Sequence, residues 1–446
     1  MATFAFHTYG CQMNVRESEA AARALLDAGH TEAPDEASAD IIIVNSCSVR
    51  GKAEDKALGK LGLLCATKRE RPTRIVGLMG CMAQRMGKEI FKKIPALDFA
   101  IGTRCADRVA PAVEAALQGR TTLALTDLHA QPDAPSGHVY QGGFSAFVTI
   151  LLGCNRRCTY CIVPDVRGDE WSRPARDVLA EVRELAANGV KEVTLLGQSI
   201  MNYGLRTPAF DEQDPPSPGG YTLPFPRLLE AVAAIDGIKR IRFTSGHPSG
   251  VTDELIRLYR EEPKLCHHLH LPVQSGSTEV LSRMRRGYTR ERYLEAVAKL
   301  REAVPQIAVT TDVIVGFPGE TEADFEETRT LMEAAQFDQS FIFKYSPRPG
   351  TVSATWEDDV SEAEKARRNQ ILLSDQDVRG AQMNQALVGT EVDVLVEGPS
   401  LRNKERWSGR TSSNKIVIFT PPEGVQPGDI LKLTIAKAAP QTLYAE

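Results

Sequence analysis

Nine cysteines are spread over 446 residues, and six of them have a spacing that suggests shared chemistry. Cys154, Cys158 and Cys161 form a C-x3-C-x2-C run in GCNRRCTYC. Thiolates are soft ligands, and three on one tight loop can hold three irons of a [4Fe–4S] cluster. The fourth iron then has no protein ligand, and an open coordination position is what a catalytic metal centre needs. Cys11, Cys47 and Cys81 are far apart yet almost evenly spaced. They read as three thiolates converging on a second iron–sulfur centre, as three ligands of a zinc ion, or as three unrelated core cysteines. Cys65, Cys105 and Cys266 have no partner at ligand spacing and read as small buried or half-buried residues.

The spacing of the first trio follows from the elements around it. Phe4–Thr8 is a short apolar run before Tyr9-Gly10-Cys11, and a helical pattern covers about 15–29. Asp40–Val44 is a β-branched run of the kind buried on both faces, ended by Asn45-Ser46-Cys47. A second helix is expected over about 52–68, then a third strand, Arg74–Met79, before Gly80-Cys81. Each cysteine thus lies just past the C-terminal end of a strand, where open parallel sheets gather their ligands.

A Pro/Gly-rich linker, about Gln131–Gly143, precedes the second trio. Six strands are then expected: Phe147–Leu152, Glu192–Leu196, Arg240–Thr244, His267–Leu271, Ala308–Val315 and Ser340–Tyr345. Amphipathic helices alternate with them at about 175–188, 226–234, 253–260, 278–304 and 322–335. Six such units predict a partial TIM-like (β/α)6 barrel with its site at the C-terminal strand ends. Gly197, Gln198, Asp312, Glu320, Arg173, Arg242 and His247 lie on or near those ends. They are candidates for cofactor or substrate contacts, with rim salt bridges and turn-forming roles as the competing explanation.

The last part of the chain holds three strand-like runs, Glu391–Val396, Lys415–Phe419 and Asp429–Ala436, which suggests a small OB-like β-barrel. Between Leu401 and Lys415 stand Arg402, Lys404, Arg406, Arg410 and Lys415 against Glu405, with Trp407 among them. Basic side chains around an aromatic suit a phosphate backbone with an exposed base, although a solvated loop has the same composition.

Composition narrows the classes. With 42% apolar and 25% charged residues the chain is globular, and its length predicts about three domains. A net charge of −5 means that any nucleic acid is met by local basic patches. The central apolar stretch Ala146–Leu152 is too short for a membrane span, and the N-terminus has no basic, cleavable leader, so a cytoplasmic protein is expected. The cysteine density is too low for a secreted disulfide scaffold.

The C-x3-C-x2-C loop resembles the signature of the radical SAM superfamily, and the whole chain resembles the methylthiotransferases. NSCSVRGKAEDK (Asn45–Lys56), LHLPVQSGS (Leu269–Ser277), RGYTRERY (Arg286–Tyr293), TTDVIVGFPGE (Thr310–Glu320) and YSPRPGT (Tyr345–Thr351) carry the likeness. So does the C-terminal LVEGPS…SGRTSSNKIV, which looks like a TRAM RNA-binding domain. The resemblance implies a methylthiotransferase α/β domain over 1–120, a linker over 121–143, a radical SAM core over 144–375 and a TRAM domain over 376–441. It further implies two [4Fe–4S] clusters, on Cys11, Cys47 and Cys81 and on Cys154, Cys158 and Cys161, with Tyr160 against the adenine of S-adenosylmethionine (SAM). One SAM would give a methyl group and a second a 5′-deoxyadenosyl radical. The implied substrate is the isopentenylated adenosine at position 37 of tRNA. A sister branch acts on threonylcarbamoyl-adenosine. The implied partners are tRNA, an electron donor such as flavodoxin or ferredoxin, and a sulfur donor. A non-catalytic iron–sulfur RNA-binding protein is the alternative from another class.

Overall fold

The structure, a computed structural model, describes residues 1–49, 51–129 and 143–445. Most of the expected Pro/Gly-rich linker, residues 130–142, lies outside the described residues.

The run Ile41–Val44 is fully buried because helices cover both faces of the sheet it belongs to. Ile42 and Val44 pack with Ala57, Leu61 and Leu64 on one side, while Ile41 and Ile43 pack with Ala21, Leu25 and Val113 on the other. The sheet is parallel and six-stranded, in the order Thr31–Glu32, Thr3–Tyr9, Ile41–Ser46, Ile75–Met79, Phe99–Ile101, Thr122–Ala124. The three strands expected from the sequence are its centre. Thr122–Ala124 pairs with Phe99–Ile101, so residues assigned to a linker beginning at 121 are part of this sheet.

Six parallel strands form the middle of the chain: Ser145–Thr149, Glu192–Leu196, Arg240–Phe243, His268–His270, Ala308–Val315 and Gln339–Lys344. Two three-stranded sheets are joined by a parallel bridge between Ile241 and Leu265, and Ser145–Thr149 and Gln339–Lys344 are the outer strands. The result is the expected open barrel. Four expected helices appear at Ala175–Ala187, Pro224–Ala233, Asp253–Glu261 and Glu322–Ala335. The long helix expected over 278–304 is two, Thr278–Arg283 and Arg290–Ala303. Arg285 (φ 56°) and Gly287 (φ 74°) break it by turning left-handed. The apolar period runs through the break, since Val280, Leu281, Tyr293, Val297 and Leu300 are all buried, and this concealed it in the sequence.

Helix Glu362–Gln385, capped by Ser361, crosses the expected boundary at 375 and packs on both the last barrel strand and the C-terminal unit. That unit is a closed five-stranded barrel in the order Glu391–Pro399, Trp407–Thr411, Ile416–Phe419, Thr442–Ala445, Ile430–Ala439. Two of its strands escaped the sequence reading. The unit docks on the N-terminal ends of the barrel strands. Arg240 donates to the carbonyls of Arg410 (2.6 Å) and Asp393 (2.9 Å), and Lys415 pairs with Asp338 (2.9 Å). Among the described residues no helix is long and apolar enough to cross a membrane.

Candidate active site

The C-terminal ends of the first-domain strands face the C-terminal ends of the barrel strands across one cavity of about 300 Å³. Cys11, Cys47 and Cys81 line it from one side and Cys154, Cys158 and Cys161 from the other.

Backbone chemistry sets the first trio. Cys11 caps helix Gln12–Asp27, and Asn14 accepts hydrogen bonds from its backbone N–H (3.2 Å) and its thiol (3.4 Å). Asn14 donates to the Asn45 side-chain oxygen (2.9 Å), and Asn45 donates back to the Asn14 carbonyl (2.8 Å) and to Ser18 (3.0 Å). This buried amide lock ties the helix carrying Cys11 to the strand that delivers Cys47. Cys81 opens helix Cys81–Met86 after Gly80, whose φ of 90° suits glycine. A Cβ on Gly80 would come within 2.3 Å of the Asn45 side-chain oxygen, so any larger residue would force the lock apart.

The three thiols are electrostatically linked. The hydrogen bond from Cys47 pulls Cys11 down to about 5, against the effect of burial, with help from the Arg167 charge and the N–H groups of Asn14 and Met13. Cys81 is lowered by the same thiol and by Arg167, while Cys47 is raised by its two sulfur neighbours. Thiolate character at helix N-termini beside a cation is the condition under which cysteines bind metal. Arg167 comes from the far side of the cavity. It ends helix Val163–Arg167, just after Cys161, and forms a buried bidentate pair with Glu17 at 2.9 and 3.2 Å.

The second trio sits in the loop after strand Leu151–Leu152. Cys154 and Cys158 are buried and Cys161 is half-buried. Burial raises the Cys154 thiol and pushes Cys161 up to about 12, so these groups would ionise as a bound metal displaces their protons. Two arginines face them. Arg156 donates to Ser199 (3.2 Å) and Ser249 (3.1 Å), and Arg286 donates to the Cys158 sulfur (3.4 Å). His247 is pushed down to about 2 by burial and by Arg286 and Arg156, so it is neutral. Its Nε2–H then donates to the Arg286 carbonyl (3.3 Å), while Nδ1 accepts from the Ser249 N–H (3.3 Å).

Tyr160, Gly197, Gln198 and Asp312 also line the cavity. Tyr160 packs edge-on to Phe317 (6.5 Å between centroids) and Asp312 lies 3.5 Å from His270. The Gln198 side-chain oxygen is buried with no protein partner, and a buried acceptor of that kind calls for a donor from a ligand. Three candidates lie elsewhere. Glu320 accepts from the Gly316 N–H (2.8 Å) and pairs with Arg368 (2.8 Å), which fixes a turn and leaves it outside the cavity lining. Arg173 donates to the Thr149 carbonyl (2.7 Å) and pairs with Glu181 (2.5 Å). Arg242 holds the C-terminal barrel, binding Glu192 (2.8 Å) and the carbonyls of Ser412 and Thr411 (3.1 and 2.8 Å).

The C-terminal basic run is not one patch. Arg406 donates to the Ala445 carbonyl (3.1 Å), Arg410 pairs with Glu397 (2.9 Å) and Lys415 is held by Asp338. Only Arg402 and Lys404, on the exposed Leu401–Glu405 tip, extend into solvent. Sequence reasoning missed Asn14, Arg156, Arg167 and Arg286. The adjacent arginines in GCNRRCTYC, and Gly287 inside an apolar helical pattern, were the available signals for Arg156 and Arg286.

Comparison with known proteins fits this layout. Residues 3–102 match the uncharacterized protein family UPF0004, 148–332 the radical SAM superfamily and 385–446 the TRAM domain. The tRNA-2-methylthio-N(6)-dimethylallyladenosine synthase of Akkermansia muciniphila is 45% identical over 98% of this chain and 97% of its own. That of Moorella thermoacetica is 43% identical over 100% and 98%. The chain belongs to this synthase family. It is therefore a radical SAM enzyme, and the superfamily's [4Fe–4S] cluster and SAM are its expected cofactors. The radical SAM methyltransferase TsrM of Kitasatospora setae, solved with cobalamin and a [4Fe–4S] cluster, shares the fold. Its TM-score is 0.57 at 15% identity, over 79% of this chain and 77% of that one.

The donor set fits such cofactors. Three thiols border a cavity that also presents an unpartnered buried acceptor, Gln198. Among the described residues no three Cys, His, Asp or Glu side chains close on a single ion. A cubane does not require that, because each thiolate takes a different iron.

Proposed function

We propose that this enzyme installs a methylthio group at C2 of N6-(dimethylallyl)adenosine at position 37 of tRNA, with Cys154, Cys158 and Cys161 holding one cluster and Cys11, Cys47 and Cys81 a second. The observation that carries the reading is the single cavity bordered by both trios, since C2 must lie near both the radical source and the sulfur source. The near-full-length relatives bearing the synthase name supply the substrate.

When bound, the cofactors supply a 5′-deoxyadenosyl radical from one SAM, a methyl group from another, and sulfur at the first-domain cluster. The chain's own residues then have separable tasks. Cys154, Cys158 and Cys161 would hold the radical SAM cluster, and the cavity beside them would receive SAM. Gln198 offers its unpaired oxygen to a donor on SAM or the adenosine, and Asp312 adds a carboxylate on the same wall. Tyr160, edge-on to Phe317, gives an apolar wall for an adenine ring. The neutral His247 fixes Arg286 without adding charge. The exposed Arg402 and Lys404 tip suits an RNA backbone. An electron donor such as flavodoxin or ferredoxin, a sulfur donor and a cytoplasmic setting complete the proposal.

The test compares unmodified, isopentenylated and threonylcarbamoylated tRNA with anaerobically reconstituted enzyme, read by nucleoside mass spectrometry. Wild type should hold about eight irons per chain and give product on the isopentenylated tRNA alone. Changing Cys11, Cys47 and Cys81 to Ala should remove about four irons, abolish methylthio product and leave SAM cleavage. Product only on the threonylcarbamoylated tRNA would overturn the substrate assignment. Unchanged iron in the triple variant would overturn the second cluster.

A further inference from the structure

Arg286 is a buried cation in an unusual setting. Its residue is 8% exposed, and among the described residues no carboxylate lies within ion-pair distance. Its Nη1 donates to the Cys158 sulfur at 3.4 Å. Every other donor of the guanidinium that has a partner goes to a neutral oxygen: Nη2 to the Pro272 carbonyl (3.2 Å) and Nε to the Tyr288 hydroxyl (3.1 Å). Tyr288 in turn donates to the Val273 carbonyl (2.7 Å). An unpaired buried charge costs several kcal/mol, so a fold that keeps one needs an anion there in the working state.

The backbone is arranged around this placement. Left-handed residues stand on both sides, Arg285 at φ 56° and Gly287 at φ 74°, and the helix is broken between Arg283 and Arg290. The neutral His247, in the loop after strand Arg240–Phe243, holds the Arg286 carbonyl. Two local distortions and three oriented partners thus serve one side chain.

Resting on the reading that Cys154, Cys158 and Cys161 hold the radical SAM cluster, we propose that Arg286 is the positioning residue that sets this cluster's redox potential, by donating a hydrogen bond and a positive charge to the Cys158 sulfur. The step it governs takes one electron from a low-potential donor onto the oxidised cluster and moves no proton. Reduction adds negative charge at the cluster. A fixed cation hydrogen-bonded to a ligand sulfur stabilises the added charge and raises the potential. The Arg156 guanidinium is tied to two serine hydroxyls, and it is the Arg156 backbone N–H that reaches the Cys154 sulfur.

The experiment is a dithionite redox titration of reconstituted full-length enzyme, following the EPR signal of the reduced cluster that changes on adding SAM. Arg286→Gln keeps a hydrogen-bonding amide and loses the charge. It should disfavour reduction at least tenfold, a fall of about 59 mV for a one-electron couple. Arg286→Lys, which keeps the charge, should recover part of the shift, with iron content unchanged in both. If Arg286→Gln does not hold iron, Tyr288→Phe decides. It loosens the guanidinium without removing it and should lower the midpoint by a smaller amount. A SAM-responsive signal with wild-type midpoint in the variant that retains its iron overturns the proposal. No SAM-responsive signal in wild type overturns the cluster assignment instead.

Discussion

Replacing Arg167 by Leu should cost the metal-free chain about 3–5 kcal/mol, the penalty for stranding one member of a buried ion pair. The side chains of Arg167 and Glu17 are 3% and 4% exposed, and two hydrogen bonds of 2.9 and 3.2 Å join them in fork-to-fork geometry. The pair is also the electrostatic seam between the two halves of the cavity. Glu17 lies on the helix capped by Cys11, while Arg167 ends the turn that follows Cys161. Without the guanidinium, the Glu17 carboxylate is left in a dry interface beside the thiols of Cys11 and Cys81, and both thiols lose a charge that lowers them. Glu17→Leu alone should cost a similar amount, because it strands the cation. The double Leu variant should cost less than either single change, since an apolar pair of similar volume is often neutral in such a place. The assay is urea unfolding of the metal-free protein, reading the transition of the first domain, with a double-mutant cycle across the four proteins. Single costs of that size with a cheaper double variant imply a coupling energy above about 3 kcal/mol. Single costs below about 1 kcal/mol, as for an exposed pair, or additive effects in the double variant, would refute the reasoning.

Changing Arg402 and Lys404 together to Ala should lower the salt dependence of tRNA binding, reducing the log–log slope by up to about 2. Arg410→Ala should leave that slope unchanged, because its guanidinium is spent on Glu397. Equal slopes in all three proteins would make the tip a solvated loop. Stability should also fall as the pH drops below about 6.5, where His247 is protonated in the unfolded chain but not in the fold. A folded-state value lowered to about 2 means that the neutral ring's contribution is present above 6.5 and is lost progressively on acidification. The groups facing the ring are Arg286, Arg156 and Tyr288, and both arginines oppose its protonation. His247→Gln should flatten that acid limb in urea titrations, and an unchanged limb would assign it to carboxylates.

Legibility in the sequence followed the strength of local signals. The continuous β-branched run Ile41–Val44 marked a buried parallel strand almost to the residue, because both faces had to be apolar. The edge strand Thr122–Ala124 is only three half-buried residues and carries no such signal. Trp407–Thr411 includes Gly409, where a Cβ would come within 2.4 Å of the Leu395 carbonyl oxygen, so a residue that weakens a strand in the sequence is required by the packing. The cysteines were legible because spacing along a loop, or one per βα unit, is a one-dimensional property. Charged residues were not. Glu320, Arg173 and Arg242 looked equivalent to Asp312 at strand ends, and only the packing of Arg368, Glu181 and the C-terminal barrel distinguishes them. Arg167 and Arg286 act across element boundaries, on partners 150 and 128 residues away in the chain.

The two ends of the barrel divide the work, and that division constrains how RNA reaches the chemistry. Lys191, Arg240, His267 and Asp338 all stand at N-terminal strand ends, and each contacts the C-terminal unit. The cysteine cavity is at the opposite ends. A five-residue strand rises roughly 17 Å, so the docked C-terminal unit and the cavity are separated by about the height of the barrel. An RNA that touches both the C-terminal unit and the cavity must extend at least that far. Deleting the C-terminal unit is also a poor probe of RNA binding. It would strip Arg240 and Arg242 of the carbonyls they bind and leave two cations and Glu192 at a raw barrel end. Loss of affinity in such a truncation would mix barrel damage with lost contacts. Substitution at Arg402 and Lys404 separates them, because neither residue supports the docking.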